Sequence, residues 1–172
     1  EFRAKLQAAP YDKIVALWEI LEADLGDFGR AWLGRNDRYY LLVVLLHRTD
    51  ALHPWLYARC REVEAAPDGY LDLWAREHYK STIITFAGII QEVLRDPEIT
   101  IGIFSHTKPV ARKFMLQIKQ ELESNVELQS IYPTILWTDP RNQSPKWSEE
   151  KGLVVQRKSN PKEATLEAHG LV

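Results

Sequence analysis

The sequence predicts an α/β fold in which helices flank a parallel sheet and a helical region precedes it. Three observations predict it. Residues 1–66 carry apolar side chains at helical spacing. From Gly69 onward, short β-rich runs alternate with helical ones. Residues 99–104 form a compact β-rich run, the signature of a strand buried in a parallel sheet. Strand and helix in alternation is how parallel strands are joined by covering helices.

The elements follow in order. Pro10 opens a helix in which Ile14, Leu17, Trp18, Leu21 and Leu25 recur on one side, and Gly26 closes it. Residues 39–46 are apolar on every side, so their periodicity fits a buried helix or a strand equally. Residues 52–64 read as a helix, followed by a Pro67-Asp68-Gly69 turn. Residues 70–74 read as a short strand. Residues 81–94 read as a helix whose broad apolar face holds Ile83, Ile84, Phe86, Ala87, Ile90 and Leu94. Residues 108–122 read as another helix, with Pro109 tolerated in its first turn. Residues 139–148 contain Pro, Asn and Ser and read as a loop. Residues 153–156 and 164–168 read as two strands, joined in a hairpin around Ser159-Asn160-Pro161. The resulting organisation is a helical region, 1–66, and a sheet-bearing core, 67–172.

The totals narrow the class. At 172 residues the chain suits one domain that can bury its own core. Its 45% apolar and 27% charged residues are ordinary for a soluble globular protein. A net charge of -2 supplies no global positive field for nucleic acid or membrane. The single cysteine, Cys60, excludes an internal disulfide framework and a Cys-based zinc cluster, and it suits a reducing compartment. The longest apolar run, 39–46, is too short to span a bilayer, so no membrane is expected. The histidines show no paired metal-ligand spacing. The opening Glu1-Phe2-Arg3 and the close on Ala168-His169-Gly170-Leu171-Val172 suggest a fragment.

The chemistry gathers in "WAREHYKST", residues 74–82. Lys80-Ser81 is in register with the phosphate loop Gly-x-x-x-x-Gly-Lys-Ser/Thr, but Trp74 and Tyr79 occupy both glycine positions. Between a strand and a helix, the backbone N–H groups of such a turn and of the helix start cradle phosphates. Lys80 is then placed for the β- and γ-phosphates, Ser81 for Mg²⁺ through its hydroxyl, and Thr82 for the α-phosphate. Tyr79 is strained if its backbone needs positive φ. The competing reading is a polar helix start with an accidental Lys-Ser-Thr.

From about His53 to Val172 the chain resembles the ATPase domain of viral (bacteriophage) terminase large subunits, the motors that pump DNA into capsids. That family carries a deviant phosphate loop in which an arginine four residues before the lysine matters more than the glycines. Here Arg76 stands four before Lys80. "IGIFSHTKPVARKFMLQIKQEL" looks like the family's second strand and following helix, and "QRKSNPKEATLEAHGLV" like the strand pair before its acidic Walker B strand. The resemblance implies a P-loop NTPase-type sheet with ATP and Mg²⁺. It implies catalytic roles for Lys80 and Arg76. Nucleotide contact would come from Arg76, Glu77, His78, Tyr79, Lys80, Ser81 and Thr82, with Ser81 on the metal. Arg76 would touch the γ-phosphate and report its loss; the alternative is a surface arginine paired with Glu77 or Asp72. Trp55 and Tyr57 lie where related motors hold the adenine, and they either stack on it or are core aromatics of a helix.

The implied partners are double-stranded DNA, a portal protein, a small terminase subunit and further copies of the chain in a ring. The implied place is the procapsid portal in the host cytoplasm. A metal-dependent nuclease domain would follow in the intact protein. The Walker B acid and the catalytic glutamate are expected beyond Val172, because none of Asp139, Glu149, Glu150, Glu163 and Glu167 follows four apolar residues. The fragment itself is then expected to be inactive in hydrolysis. Arg112 and Arg157 are candidate arginine fingers and stay unassigned. Six basic residues against two acidic ones in 141–162, together with Lys108, Arg112, Lys113 and Lys119, suit a grip on a phosphate backbone or a solvated face. Two other readings stand beside this one: a helicase-like ATPase of another pathway, and a helical interaction module.

Overall fold

The helical spacing of the first third becomes α1 (Phe2–Ala8), α2 (Tyr11–Leu25), α3 (Asp27–Asn36), α4 (Arg38–Tyr40) and α5 (Pro54–Ala65) in a computed structural model that describes residues 2–172. The chain is α/β and mostly helical, and it divides into two compact units, Glu1–Gln91 and Glu92–Val172.

In the first unit Gly26, at φ 56°, turns α2 into α3. A Cβ on Gly29 would lie 2.5 Å from the Leu21 carbonyl oxygen, so only glycine lets these helices approach so closely. Residues 39–46 resolve as helix. α4 runs into a wider helical segment, Leu41–Leu45, with Leu41, Leu42 and Leu45 fully buried. Asp37 is fully buried at the start of this segment and accepts four hydrogen bonds: from the Tyr39 and Tyr40 amides, the Trp18 indole and Arg61. A buried carboxylate so surrounded is satisfied rather than costly. A second wide helix, Ser81–Gly88, packs on α4 and on Leu41–Leu45, burying Ile83, Phe86 and Ala87. It continues directly into α6 (Ile89–Arg95).

The second unit contains β1 (Ile101–Ser105), α7 (Lys108–Ser124), α8 (Val126–Ile131), α9 (Pro140–Gln143), β2 (Trp147–Ser148), β3 (Gly152–Leu153) and β4 (Leu166–Gly170). The strand order is β1-β4-β3-β2. β1 and β4 run parallel, with Ile103 opposite Ala168. α7 packs on both, and its Ala111, Met115, Ile118 and Leu122 are buried at the spacing of one helical face.

Three expectations are corrected. The sheet is mixed, because β3 pairs antiparallel with β4 and β2 antiparallel with β3. The link from β3 to β4 holds Ser159-Asn160-Pro161 and forms no helix, so the chain has no crossover with which to return parallel. The strand expected at 153–156 reduces to Gly152–Leu153: the Val155 amide bonds the Thr165 hydroxyl at 3.3 Å and the Gln156 amide the Ile135 carbonyl at 2.9 Å. Finally, residues 70–74 form no strand. Leu71 and Leu73 are 75% and 82% exposed, and the Trp74 indole folds back onto Asp72 at 3.2 Å. A buried parallel strand needs apolar contact on both faces, and Asp72 between two leucines cannot provide it.

Candidate functional site

Residues 74–82 lie wholly in the first unit. α5 ends at Ala65, and Gly69, at φ 77°, completes the turn that leads to them. Two side-chain-bearing residues then take left-handed backbone: Glu77 at φ 64° and Tyr79 at φ 61°. Such conformations cost on the order of 1–3 kcal/mol at a non-glycine residue and persist only where the surroundings enforce them. With these two turns the segment curls around a cavity of about 370 Å³ lined by its own nine residues, Trp74 to Thr82. A smaller hollow of about 240 Å³ shares Lys80 and Ser81 and reaches Asp72 and Thr85.

The helix Ser81–Gly88 starts straight from the second left-handed residue. The Ile83 amide bonds the Tyr79 carbonyl at 2.9 Å. No side chain caps this helix start. The first-turn N–H groups of a helix have no intrahelical carbonyl behind them, and they carry the positive end of its dipole. Lys80 is half-buried, whereas Ser81, Arg76, Glu77 and His78 are exposed. Among the described residues Arg76 and Lys80 form no ion pair, so the expected alternative partners of Arg76, Glu77 and Asp72, do not hold it. Two cationic side chains, a hydroxyl and an uncapped helix start thus border one hollow. That donor set suits an anion with several oxygens.

Side chains from elsewhere in the unit hold the segment. The Tyr79 phenol donates to Asp50 Oδ2 at 2.7 Å, and Arg48 grips the same carboxylate with two bonds of 3.0 Å. Arg48 first, and Tyr79 second, draw the Asp50 carboxyl down to about 2. Trp55 meets Trp74 and His78 edge-on, with ring centroids 5.9 and 5.6 Å apart, and Arg59 lies over the Trp55 ring. The His78 ring also bonds the Arg76 carbonyl at 2.7 Å.

Trp55, 40% exposed, therefore belongs to the wall of the segment. Tyr57 does not belong to the site. It is buried, its phenol donates to the Ala9 carbonyl at 2.6 Å, and its ring packs between Tyr11, Tyr39 and Arg61. No face of it is open to a base, so the core alternative holds. Arg48 and Asp50 are the residues that sequence reasoning missed. The one signal for them was the bulky Tyr79 at a glycine position, which needs an external restraint.

In the second unit the other candidates are engaged locally. Arg112 pairs with Glu150 at 3.0 Å, and Arg157 donates to the Glu163 carbonyl at 2.8 Å. Lys119 and Arg141 both pair with Glu123, at 3.0 and 2.9 Å. Glu167 accepts from the Ala164 amide at 2.9 Å, and Asp139 from Asn142 at 2.7 Å. Part of the positive charge read as a DNA grip is thus neutralised within the unit. Comparison of the chain with models of known protein families, with curated proteins and with solved structures found no match.

Proposed function

We propose that residues 74–82 are a phosphate-binding loop of the P-loop NTPase type. On this reading the chain is the ATPase domain of a terminase large subunit, coupling Mg·ATP hydrolysis to the packaging of double-stranded DNA. The observation that carries it is Tyr79. In the glycine-bearing loop the residue before Lys-Ser is the one freed to turn left-handed. Here Tyr79 takes φ 61° in spite of its side chain, and the segment encloses a hollow beside Lys80 and Ser81.

The residues divide the task by chemistry. Lys80 brings a point charge to the terminal phosphates, and its half-buried stem limits where that charge can go. Thr82 and the first-turn N–H groups offer donors to the inner phosphates. Arg76, four residues before Lys80 and without an ion pair among the described residues, is free to fork onto γ-phosphate oxygens. Ser81 would help to hold a Mg²⁺ ion, which would supply charge neutralisation on the phosphates. Trp74 lines the hollow, and Trp55 packs edge-on against it.

The test is calorimetric titration of the purified chain with Mg·ATP, with inorganic triphosphate and with adenosine. Saturable binding of both phosphate-bearing ligands and none of adenosine is expected. Equal heats from all three, or none from Mg·ATP at millimolar concentration, would remove the phosphate-loop reading and favour an interaction module.

A further inference from the structure

We propose that Asp50, gripped by Arg48, is the positioning residue that holds Tyr79 left-handed and so keeps the loop around its cavity. A side-chain clamp here supplies what glycine supplies through backbone freedom. The effect on nucleotide rests on the phosphate-loop reading; the clamp itself rests on geometry. Tyr79 at φ 61° is a conformation that bulky L-residues avoid. Among the described residues, its bond to Asp50 is the one side-chain hydrogen bond that ties 75–80 to a distant part of the chain, 29 residues away.

The far end of the clamp is anchored. His47, at φ 53°, turns the chain out of the buried helical segment Leu41–Leu45, and the Arg48 amide bonds the Leu42 carbonyl at 3.0 Å. Bonds from Thr49 to His47 and from Ala51 to Arg48, each 2.9 Å, close a tight turn with Asp50 inside it. Ala51 is fully buried, and its carbonyl accepts from the Tyr39 phenol at 3.1 Å. The helix that follows the loop, Ser81–Gly88, packs on Leu41–Leu45 as well. The path from that buried segment through Arg48, Asp50 and Tyr79, and back through Ser81–Gly88, is therefore a closed cycle. Opening it at Asp50 leaves Tyr79 free to relax into its preferred region and the loop free to collapse.

The experiment compares Asp50→Ala, Tyr79→Phe, Tyr79→Gly and the Asp50→Ala/Tyr79→Gly double variant. Tyr79→Phe keeps the ring and removes only the phenol oxygen, and circular dichroism confirms the fold of each variant. Two readouts are taken: amide hydrogen exchange of 74–82 without nucleotide, and Mg·ATP affinity. Asp50→Ala and Tyr79→Phe should each speed loop exchange and weaken Mg·ATP about tenfold, the size expected for a hydrogen bond to a charged group. Exchange in α5 should not change. Tyr79→Gly should bind at least as well as the parent chain, and Asp50→Ala should have no further effect in that background. Unchanged loop exchange, or a loss that persists in the Tyr79→Gly background, overturns the clamp while Mg·ATP binding stands. A parent chain that binds no Mg·ATP overturns the phosphate reading, and the positioning role with it, even where loop exchange still responds.

Discussion

Two segments of this chain bring a lysine to the start of a helix, Lys80 just before Ser81–Gly88 and Lys108 at the head of α7, and they are built in opposite ways. Before α7, β1 is a true strand, paired along its length with β4, and His106-Thr107 is an ordinary short connection. The N-terminus of α7 is closed: a Cβ on Gly170 would lie 2.5 Å from the Lys108 amide nitrogen, so the end of β4 sits directly against it. Before the helix Ser81–Gly88, residues 70–74 join no strand, two residues are left-handed, and a cavity of about 370 Å³ remains open. Backbone pairing shapes the first junction, whereas side chains hold the second. At the first junction Gly170 fills the space beside the Lys108 amide, whereas the second, held by a phenol, a carboxylate and an indole, leaves a hollow beside Lys80.

The largest effect should come from charge removal at the open junction. Lys80→Ala is expected to weaken Mg·ATP by about 2–3 kcal/mol, the upper range for a hydrogen bond between charged groups. Lys108→Ala, the matching change at the closed junction, should leave affinity unchanged. Calorimetry on both variants checks the contrast; equal losses would show that the nucleotide reads general charge and not the loop.

Next comes the closure itself. Gly170→Ala places a methyl group against backbone that cannot yield, and overpacking of this kind costs about 1–3 kcal/mol. Urea unfolding should show the loss in the second unit, and Mg·ATP affinity of the folded chain should stay the same. A variant as stable as the parent would mean that β4 can shift away from α7.

A smaller effect distinguishes the carboxylate that organises the second unit. Arg141 above all, then Lys119 and the Trp147 indole, hold Glu123 down to about 2, from an ordinary value of 4.5. A depressed carboxyl stabilises the fold at pH above its unfolded value and loses that contribution as pH falls through the folded value. Glu123→Gln should therefore cost about 1–2 kcal/mol at pH 7, since Arg141 is solvent-exposed and screened. The difference from the parent should shrink between pH 4.5 and 2. A pH-independent difference would point to lost shape instead of lost charge.

How far the sequence could be read depends on the range of the forces involved. The bounds of α2 are visible in Pro10 and Gly26, because capping is local. So is the face of α7, whose buried residues repeat within single turns. The Lys80-Ser81 pair at a helix start is visible for the same reason, because it involves only neighbours in the chain. Residues 70–74 mislead because apolar content does not reveal whether a partner strand exists, and here Leu71 and Leu73 face solvent. Tyr57 misleads likewise, since a tyrosine near a loop in sequence can point to the loop or, as here, into the core. The clamp of Arg48, Asp50 and Tyr79 spans 29 residues and exists only once Leu41–Leu45 and Ser81–Gly88 pack together. For 39–46 apolar content fits strand and helix equally, and the segment is helical where the Asp37 carboxylate accepts from the Tyr39 and Tyr40 amides and α4 runs on into Leu41–Leu45.

The smallest expected effect concerns Arg76, and it sharpens the comparison most. Arg76 lines the cavity wall but is exposed, whereas Lys80 is half-buried. An exposed, flexible side chain loses rotamer entropy when it pairs, which offsets much of its attraction for a ground-state phosphate. Arg76→Ala should therefore leave Mg·ATP affinity within about tenfold, or roughly 1.4 kcal/mol. A sensor of the γ-phosphate should nevertheless distinguish ligands: the variant should lose the difference between Mg·ATP and Mg·ADP while keeping most of its affinity for each. Arg76→Lys should not restore that difference, because lysine lacks the planar fork that contacts two oxygens at once. Titrations of parent, Arg76→Ala and Arg76→Lys with both nucleotides decide the matter. If affinity for both falls in parallel and lysine restores it, Arg76 is a plain cationic contact of the loop, and Lys80 is left as its discriminating residue.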